Sequence, residues 1–242
     1  MQAGMKYLRG FSVISRLAIS NPSHLFRLIR IRHDHLTYLD LPALVDLRNA
    51  VAKIETQGIP GVLIEAGVAL GGSALVITTS KNVTRELQVY DTFEMIPPPS
   101  KNDGDDAHQR YEEIVRGNSQ DLGGDRYYGY MGDLSEKIRD TFAKYGYPAE
   151  PNHVRLIKGL FQETLHPDTP VALAHLDCDW FESVMICLER IVPLLSVGGI
   201  IVVDDYDHWS GARRAVEAYF SLQKKENFQF IYRSRLHIRK IG

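Results

Sequence analysis

Residues 171–177, VALAHLD, and residues 199–205, GIIVVDD, decide how this chain folds. Each is a short apolar run of strand length that ends on carboxylates. One helix-length segment, residues 181–195, separates them and serves as a single crossover between neighbouring parallel strands. Such strands lie about 4.8 Å apart, so Asp177, Asp204 and Asp205 should meet at one edge of a sheet. Three unpaired carboxylates there would repel one another, and a hard divalent cation is the usual remedy. The competing reading is that each aspartate caps its own loop or helix.

The same alternation runs outward in both directions. GVLIEAG (61–67) reads as the first strand, residues 72–82 as a helix and ELQVYD (86–91) as the second strand. A helix over about 133–145 leads to VRLIKG (154–159), and a helix over 211–224 follows the acidic pair. FQFIYR and LHIRKI then close the chain with only Ser234 and Arg235 between them, too few for a crossover, so they should form an antiparallel hairpin. Near-continuous apolar strands alternating with helices mean an α/β fold with helices on both faces of the sheet. The pattern predicts a mostly parallel, seven-stranded sheet with an antiparallel last strand, which resembles the Rossmann-like methyltransferase architecture.

Residues 1–57 form a helical segment ahead of that domain, a candidate substrate lid or oligomer contact, and residues 58–242 form the domain itself. In the segment, Asp40 caps a helix that Pro42 enters and Gly58 stops. Arg27, Arg30 and Arg32 read as a solvated basic face. The polar stretch 92–131, with Pro97–Pro98–Pro99, is long for a connection and reads as a lid or substrate loop with its own short helix.

Composition narrows the function. A chain of 242 residues with 44% apolar and 24% charged residues is an ordinary globular one, large enough for one α/β domain. A formal net charge of -2 gives no general nucleic-acid surface. No apolar run approaches the roughly 20 residues of a membrane span, and no secretory leader is recognisable. Two cysteines, Cys178 and Cys187, read as unpaired, which fits a reducing cytoplasm.

The ligand pocket of an open α/β sheet lies beyond the carboxyl ends of its strands. There the first strand runs into EAGVALGGS, with Glu65, Gly67, Gly71 and Gly72. No lysine follows as a P-loop requires, and the spacing is not Gly-x-Gly-x-x-Gly. Glu65 disfavours a pyrophosphate and suits an ammonium group such as the methionyl end of S-adenosylmethionine. Asp91 ends the second strand, where a carboxylate can accept ribose hydroxyls or bond its own backbone. Asp133 is a helix cap or an adenine neighbour. His175 reads as a core histidine, and His208 and Trp209 as loop residues or as the wall of an acceptor pocket. An Mg²⁺ ion at the three aspartates would orient a hydroxyl and lower its pKa, with Asp177 as ligand and base.

GIPGVLIEAGVALGGSALV, VYDTFEMIPPP, VRLIKGLFQETL, LDCDWFESV and GGIIVVDDYDHWSGARRAVEAYF together resemble the macrocin O-methyltransferase family over roughly residues 40–225. The resemblance implies S-adenosylmethionine and Mg²⁺ as cofactors and a hydroxyl of a sugar or phenol, in a natural-product intermediate, as acceptor. It implies metal ligands at Asp177, Asp204 and Asp205, with the base role on Asp177. The implied cofactor residues are Glu65, Gly67, Gly71, Ser73 and Asp91. It also makes a homo-oligomer plausible. Cys178 stands where the family commonly has Gly, Trp180 where it has Leu and Phe181 where it has Tyr. Ala69–Leu70 replaces a Trp-Arg-like pair, and residues 100–131 follow no family pattern. These departures bear on the acceptor. The alternatives are a nicotinamide or nucleotide-sugar enzyme on a related sheet and a non-catalytic binding module.

Overall fold

The computed structural model describes residues 12–242. Helical residues 12–20 precede α1 (Pro22–His33), and α2 (Leu41–Thr56) follows. Asp40 caps α2 by accepting from the Ala43 N–H at 2.9 Å, and Pro42 sits in the first turn, where a missing N–H costs nothing. The alternating part comprises β1 (Val62–Ala66), α3 (Gly72–Thr78), β2 (Leu87–Asp91), α4 (Asp105–Val115), α5 (Ser135–Lys144), β3 (Val154–Lys158) and α6 (Phe161–Thr164). It continues with β4 (Val171–Leu176), α7 (Phe181–Ile191), β5 (Leu195–Val203), α8 (Ser210–Ser221), β6 (Phe228–Tyr232) and β7 (Leu236–Lys240).

The seven strands form one sheet in the order β3-β2-β1-β4-β5-β7-β6. β1 to β5 run parallel, while β7 is antiparallel to both β5 and β6. This is the Rossmann-like methyltransferase fold. Successive side chains of each strand face opposite layers. Leu63, Val89, Leu173 and Val202 pack under α1, α2, α3 and α5, whereas Ile64, Tyr90, Ala174 and Val203 pack under α7 and α8. Glu65, His175 and His237 occupy the first of these two faces, in register with Val202.

Several boundaries differ from the sequence pattern, and the helices expected over 181–195 and 211–224 end at Ile191, before a 3-10 turn, and at Ser221. α3 stops at Thr78 rather than running to residue 82, because the hydroxyls of Thr78, Thr79 and Ser80 turn back onto the carbonyls of Ala74 and Val76. β5 begins at Leu195, four residues before the apolar run, with Gly198 at φ 87° inside it. It ends at Val203, so Asp204 and Asp205 lie past the strand and Asp205 opens a 3-10 turn.

The stretch 92–131 carries α4 and two single 3-10 turns. Buried Asp103 accepts from Ser100 N at 2.8 Å and Phe181 N at 2.7 Å, and Asp106 accepts from Ser210 N at 2.8 Å. These bonds lock the stretch onto the first turns of α7 and α8.

Candidate functional site

The strand order reverses between β1 and β4, the place where open α/β sheets leave a crevice. Ladder bonds continue past the strand ends there. Gly67 N donates to Tyr90 O, Asp177 N to Ala66 O and Asp204 N to Leu176 O, each at 2.9 Å. The loops after β1, β4 and β5 therefore leave the sheet side by side. They open into a cavity of about 580 Å³ that reaches from Tyr38 and Asp91 to Trp209 and Arg235.

Gly67 lies at φ 86°, and a Cβ on it would stand 1.8 Å from the Asp177 carbonyl oxygen. Only glycine lets these two loops touch. Ala69 (φ 43°) and Asp179 (φ 56°) are in the same left-handed region without being glycine, and both line the cavity. Strained backbone of this kind concentrates at ligand sites.

Asp177, Asp204 and Asp205 all line the cavity, together with Asp179, His208 and Trp209. Asp204, Asp205 and His208 can each offer one ligand atom, all within 4.8 Å of one another. Asp177 lies outside that tight group but acts on it electrostatically. Burial and the charge of Asp204 push its carboxyl well above the usual range. Asp205 is raised by burial and by Asp179, Asp177 and Asp204. Burial and the Asp204 charge take Asp179 to about 6. Burial alone would raise Asp204 too, but the approach of His175 and the Arg235 guanidinium bring it below the carboxylate norm. Four clustered carboxylates against two cationic partners fit a divalent cation bound through hard oxygen donors.

Of the residues expected at a cofactor, Gly67 and Asp91 line the cavity. Asp91 accepts from Phe93 N in its own loop at 2.6 Å and from Val68 N in the loop after β1 at 2.7 Å while facing the cavity; burial raises its pKa despite those donors. Glu65, Gly71 and Ser73 do not line the cavity. Glu65 is fully buried between the Ser73 hydroxyl and His175 Nδ1, which lies 3.0 Å from Oε2. Gly71, at φ 91°, opens α3 against Ile138. Asp133 is exposed, accepts from Ser135 N at 2.9 Å and pairs with Lys158 at 2.9 Å. That is an Asx turn one residue ahead of the N-cap Leu134, which itself has no side-chain cap, so the expected cap by Asp133 is not formed. The Ser135 N–H followed by Lys158 hold its pKa at about 2.

Tyr38, Trp180 and Arg235 are among the wall residues that sequence reasoning did not place in the site. Tyr38 comes from the segment before α2 and stacks edge-on against Tyr128 at 6.4 Å. Trp180 meets Trp209 edge-on at 5.4 Å and donates to Pro97 O at 2.9 Å. Arg235, in the β6–β7 turn, donates from Nε to Asp204 Oδ1 at 2.7 Å. Asp179 was not placed there either, although the LDCD run offered the signal, a second carboxylate two residues past Asp177.

A model of the Macrocin-O-methyltransferase family matches residues 37–231. The chain is 32% identical over 180 residues to a Streptomyces olivaceus 8-demethyl-8-(2,3-dimethoxy-alpha-L-rhamnosyl)-tetracenomycin-C 4'-O-methyltransferase, covering 70% of this chain and 62% of that protein. It is 30% identical over 192 residues to the demethyldecarbamoylnovobiocin O-methyltransferase of Streptomyces niveus, covering 76% and 67%. The chain thus spans somewhat under, or about, two thirds of these relatives' lengths. Among solved structures, the O-methyltransferase NovP superposes with a TM-score of 0.70 at 25% identity, over 86% of this chain and 83% of that one. The calicheamicin methyltransferase CalS11 shares the fold, with a TM-score of 0.58 at 20% identity over 95% and 91%.

Proposed function

The chain belongs to the macrocin O-methyltransferase family, and from that premise we propose that it is an Mg²⁺-dependent O-methyltransferase acting on a hydroxyl of a small molecule, a sugar or phenol of a natural-product intermediate. One observation carries the reading: the acid cluster and the Gly67–Asp91 wall belong to one cavity. S-adenosylmethionine supplies the electrophilic methyl group. Asp177, Asp204 and Asp205 would hold Mg²⁺, which when bound would acidify and orient the acceptor hydroxyl.

The protein's own part is positioning. Asp91 accepts ribose hydroxyls, and Gly67 keeps the loop low enough for the cofactor to lie on it. Gly71 and Ser73 open α3 behind that loop, and Asp133 with Lys158 stands at the rim of the adenine end. Asp177 takes the proton that leaves the acceptor oxygen. Trp180 and Trp209 close the acceptor side against water. Tyr38 on the wall supports a covering role for residues 12–57 of the segment expected over 1–57, whose first eleven residues lie outside the described ones, ahead of the domain at 58–242. Buried, unbridged Cys178 and Cys187 support a cytoplasmic setting, and self-association completes the proposal.

The test combines calorimetry with turnover on a panel of glycosylated and phenolic acceptors. S-adenosylmethionine should bind with or without EDTA, while methyl transfer should need the metal. Asp177→Asn should bind cofactor and lose transfer by at least 100-fold, the scale of a general base together with a metal ligand. Undiminished transfer by that variant in excess EDTA would overturn the metal mechanism.

A further inference from the structure

We propose that His175 is a positioning residue for the acid cluster, and that Glu65 acts through it, on the metal side rather than on the cofactor. The proposal rests on the Mg²⁺ reading above. Glu65 and His175 are cross-strand neighbours on β1 and β4, 110 positions apart in sequence, and both are fully buried. Their sheet face also carries His237 but is otherwise built largely from apolar residues such as Leu63, Val89, Leu173 and Val202. His175 Nδ1 lies 3.1 and 3.0 Å from the two Glu65 oxygens, and the Ser73 hydroxyl donates to Oε1. Those contacts fix the plane of the ring. They aim its other nitrogen, Nε2, at Asp204 Oδ1, 3.7 Å away.

That distance is too long for a hydrogen bond, and Nε2 has no hydrogen-bond partner although it is buried. A buried, orphaned ring nitrogen facing a carboxylate is a group set toward something outside its own packing. On the other side Arg235 donates to the same Oδ1 at 2.7 Å. Both contacts use one oxygen of Asp204, and neither uses Oδ2. A continuous row, Ser73–Glu65–His175–Asp204–Arg235, therefore runs from the first turn of α3 to the β6–β7 turn and grips Asp204 by one oxygen.

A purely structural explanation is weak. Two well-packed apolar residues would serve this face at least as well as a buried ion pair, and the neighbours Leu63 and Leu173 show that the face accepts them. What the pair adds is orientation of an acidic side chain that repulsion from Asp177 and Asp205 would otherwise turn aside. Outer partners of metal ligands act in this way.

Binding of Mn²⁺, followed by electron paramagnetic resonance, and of S-adenosylmethionine, followed by calorimetry, separates the roles. Removing only His175 would leave a buried Glu65 without its partner, so the first variant is the double one, Glu65→Met with His175→Phe, which removes the pair together and leaves only the Ser73 hydroxyl without its acceptor. It should fold, with an unchanged circular dichroism spectrum, and bind Mn²⁺ roughly 10- to 100-fold more weakly. Its S-adenosylmethionine affinity should stay within about twofold of wild type, within the scatter expected for a site that is not touched. Glu65→Gln, which keeps a hydrogen-bonding partner for His175, should fall between the two. Mn²⁺ affinity unchanged in a folded double variant would overturn the proposal. Cofactor affinity lost with Mn²⁺ binding retained would overturn it too and return Glu65 to the cofactor. Wild-type protein that binds no Mn²⁺ would sink the underlying metal reading, an outcome visible before any variant is made.

Discussion

The absence of one Cβ sets how closely the cofactor loop and the acid loop approach. Gly67→Ala would place a methyl group on the Asp177 carbonyl and force a left-handed residue at the same time. The expected cost is on the order of 3 kcal/mol of stability, read as a lower melting temperature, with calorimetric S-adenosylmethionine affinity reduced at least tenfold, the equivalent of about 1.4 kcal/mol. A second residue-scale prediction concerns pH. Burial, helped by the charges of Arg48 and Arg27, lowers the His24 imidazole to about 4. Its Nε2 lies 3.3 Å from the hydroxyls of Thr79 and Ser80. The unfolded chain takes up this proton near the ordinary value of 6.5, and the folded chain refuses it. His24 therefore contributes stability that is complete above pH 6.5 and is lost as pH falls through about 4. Urea unfolding of wild type and His24→Gln across that window should show the variant losing less, by about 1–2 kcal/mol.

At the scale of elements, the stretch 92–131 behaves as a wall, because Asp103 and Asp106 bond it to the starts of α7 and α8. Asp103→Ala would leave the N–H groups of Ser100 and Phe181 without their acceptor. It should destabilise by about 2–3 kcal/mol and turn residues 92–104 into a site of rapid proteolysis, checked by trypsin cleavage at Lys101. The strands themselves were legible, since apolar runs ending in carboxylates have one comfortable arrangement in a parallel sheet. Asp177, Asp204 and Asp205 could be placed from that pattern alone. Arg235 could not, because it comes beside Asp204 only after β7 has inserted between β5 and β6. Nor could the sealing of Glu65. Its position at a strand end was readable, but which face it takes depends on a cross-strand partner, His175, whose register no local pattern encodes.

For the molecule as a whole, a ligand that binds only the folded state raises stability by an amount set by its occupancy. S-adenosylmethionine at 100 times its dissociation constant should add about 2.7 kcal/mol, a rise in melting temperature of roughly 5–10 °C for a chain of this size. NAD should add nothing measurable. The cavity also draws together Tyr38, Gly67, Asp91, Asp179, Asp204 and Arg235, which come from six separate stretches of the chain. The parallel pairing of β1 with β4 joins residues 110 positions apart. Such contacts have high contact order: long loops must close before any of them stabilises the chain, so they form slowly. No fragment containing only β1 and β2, or only β4 and β5, carries a whole site. In refolding, recovery of cofactor binding should therefore coincide with the final cooperative phase, after the helices have already regained their circular dichroism.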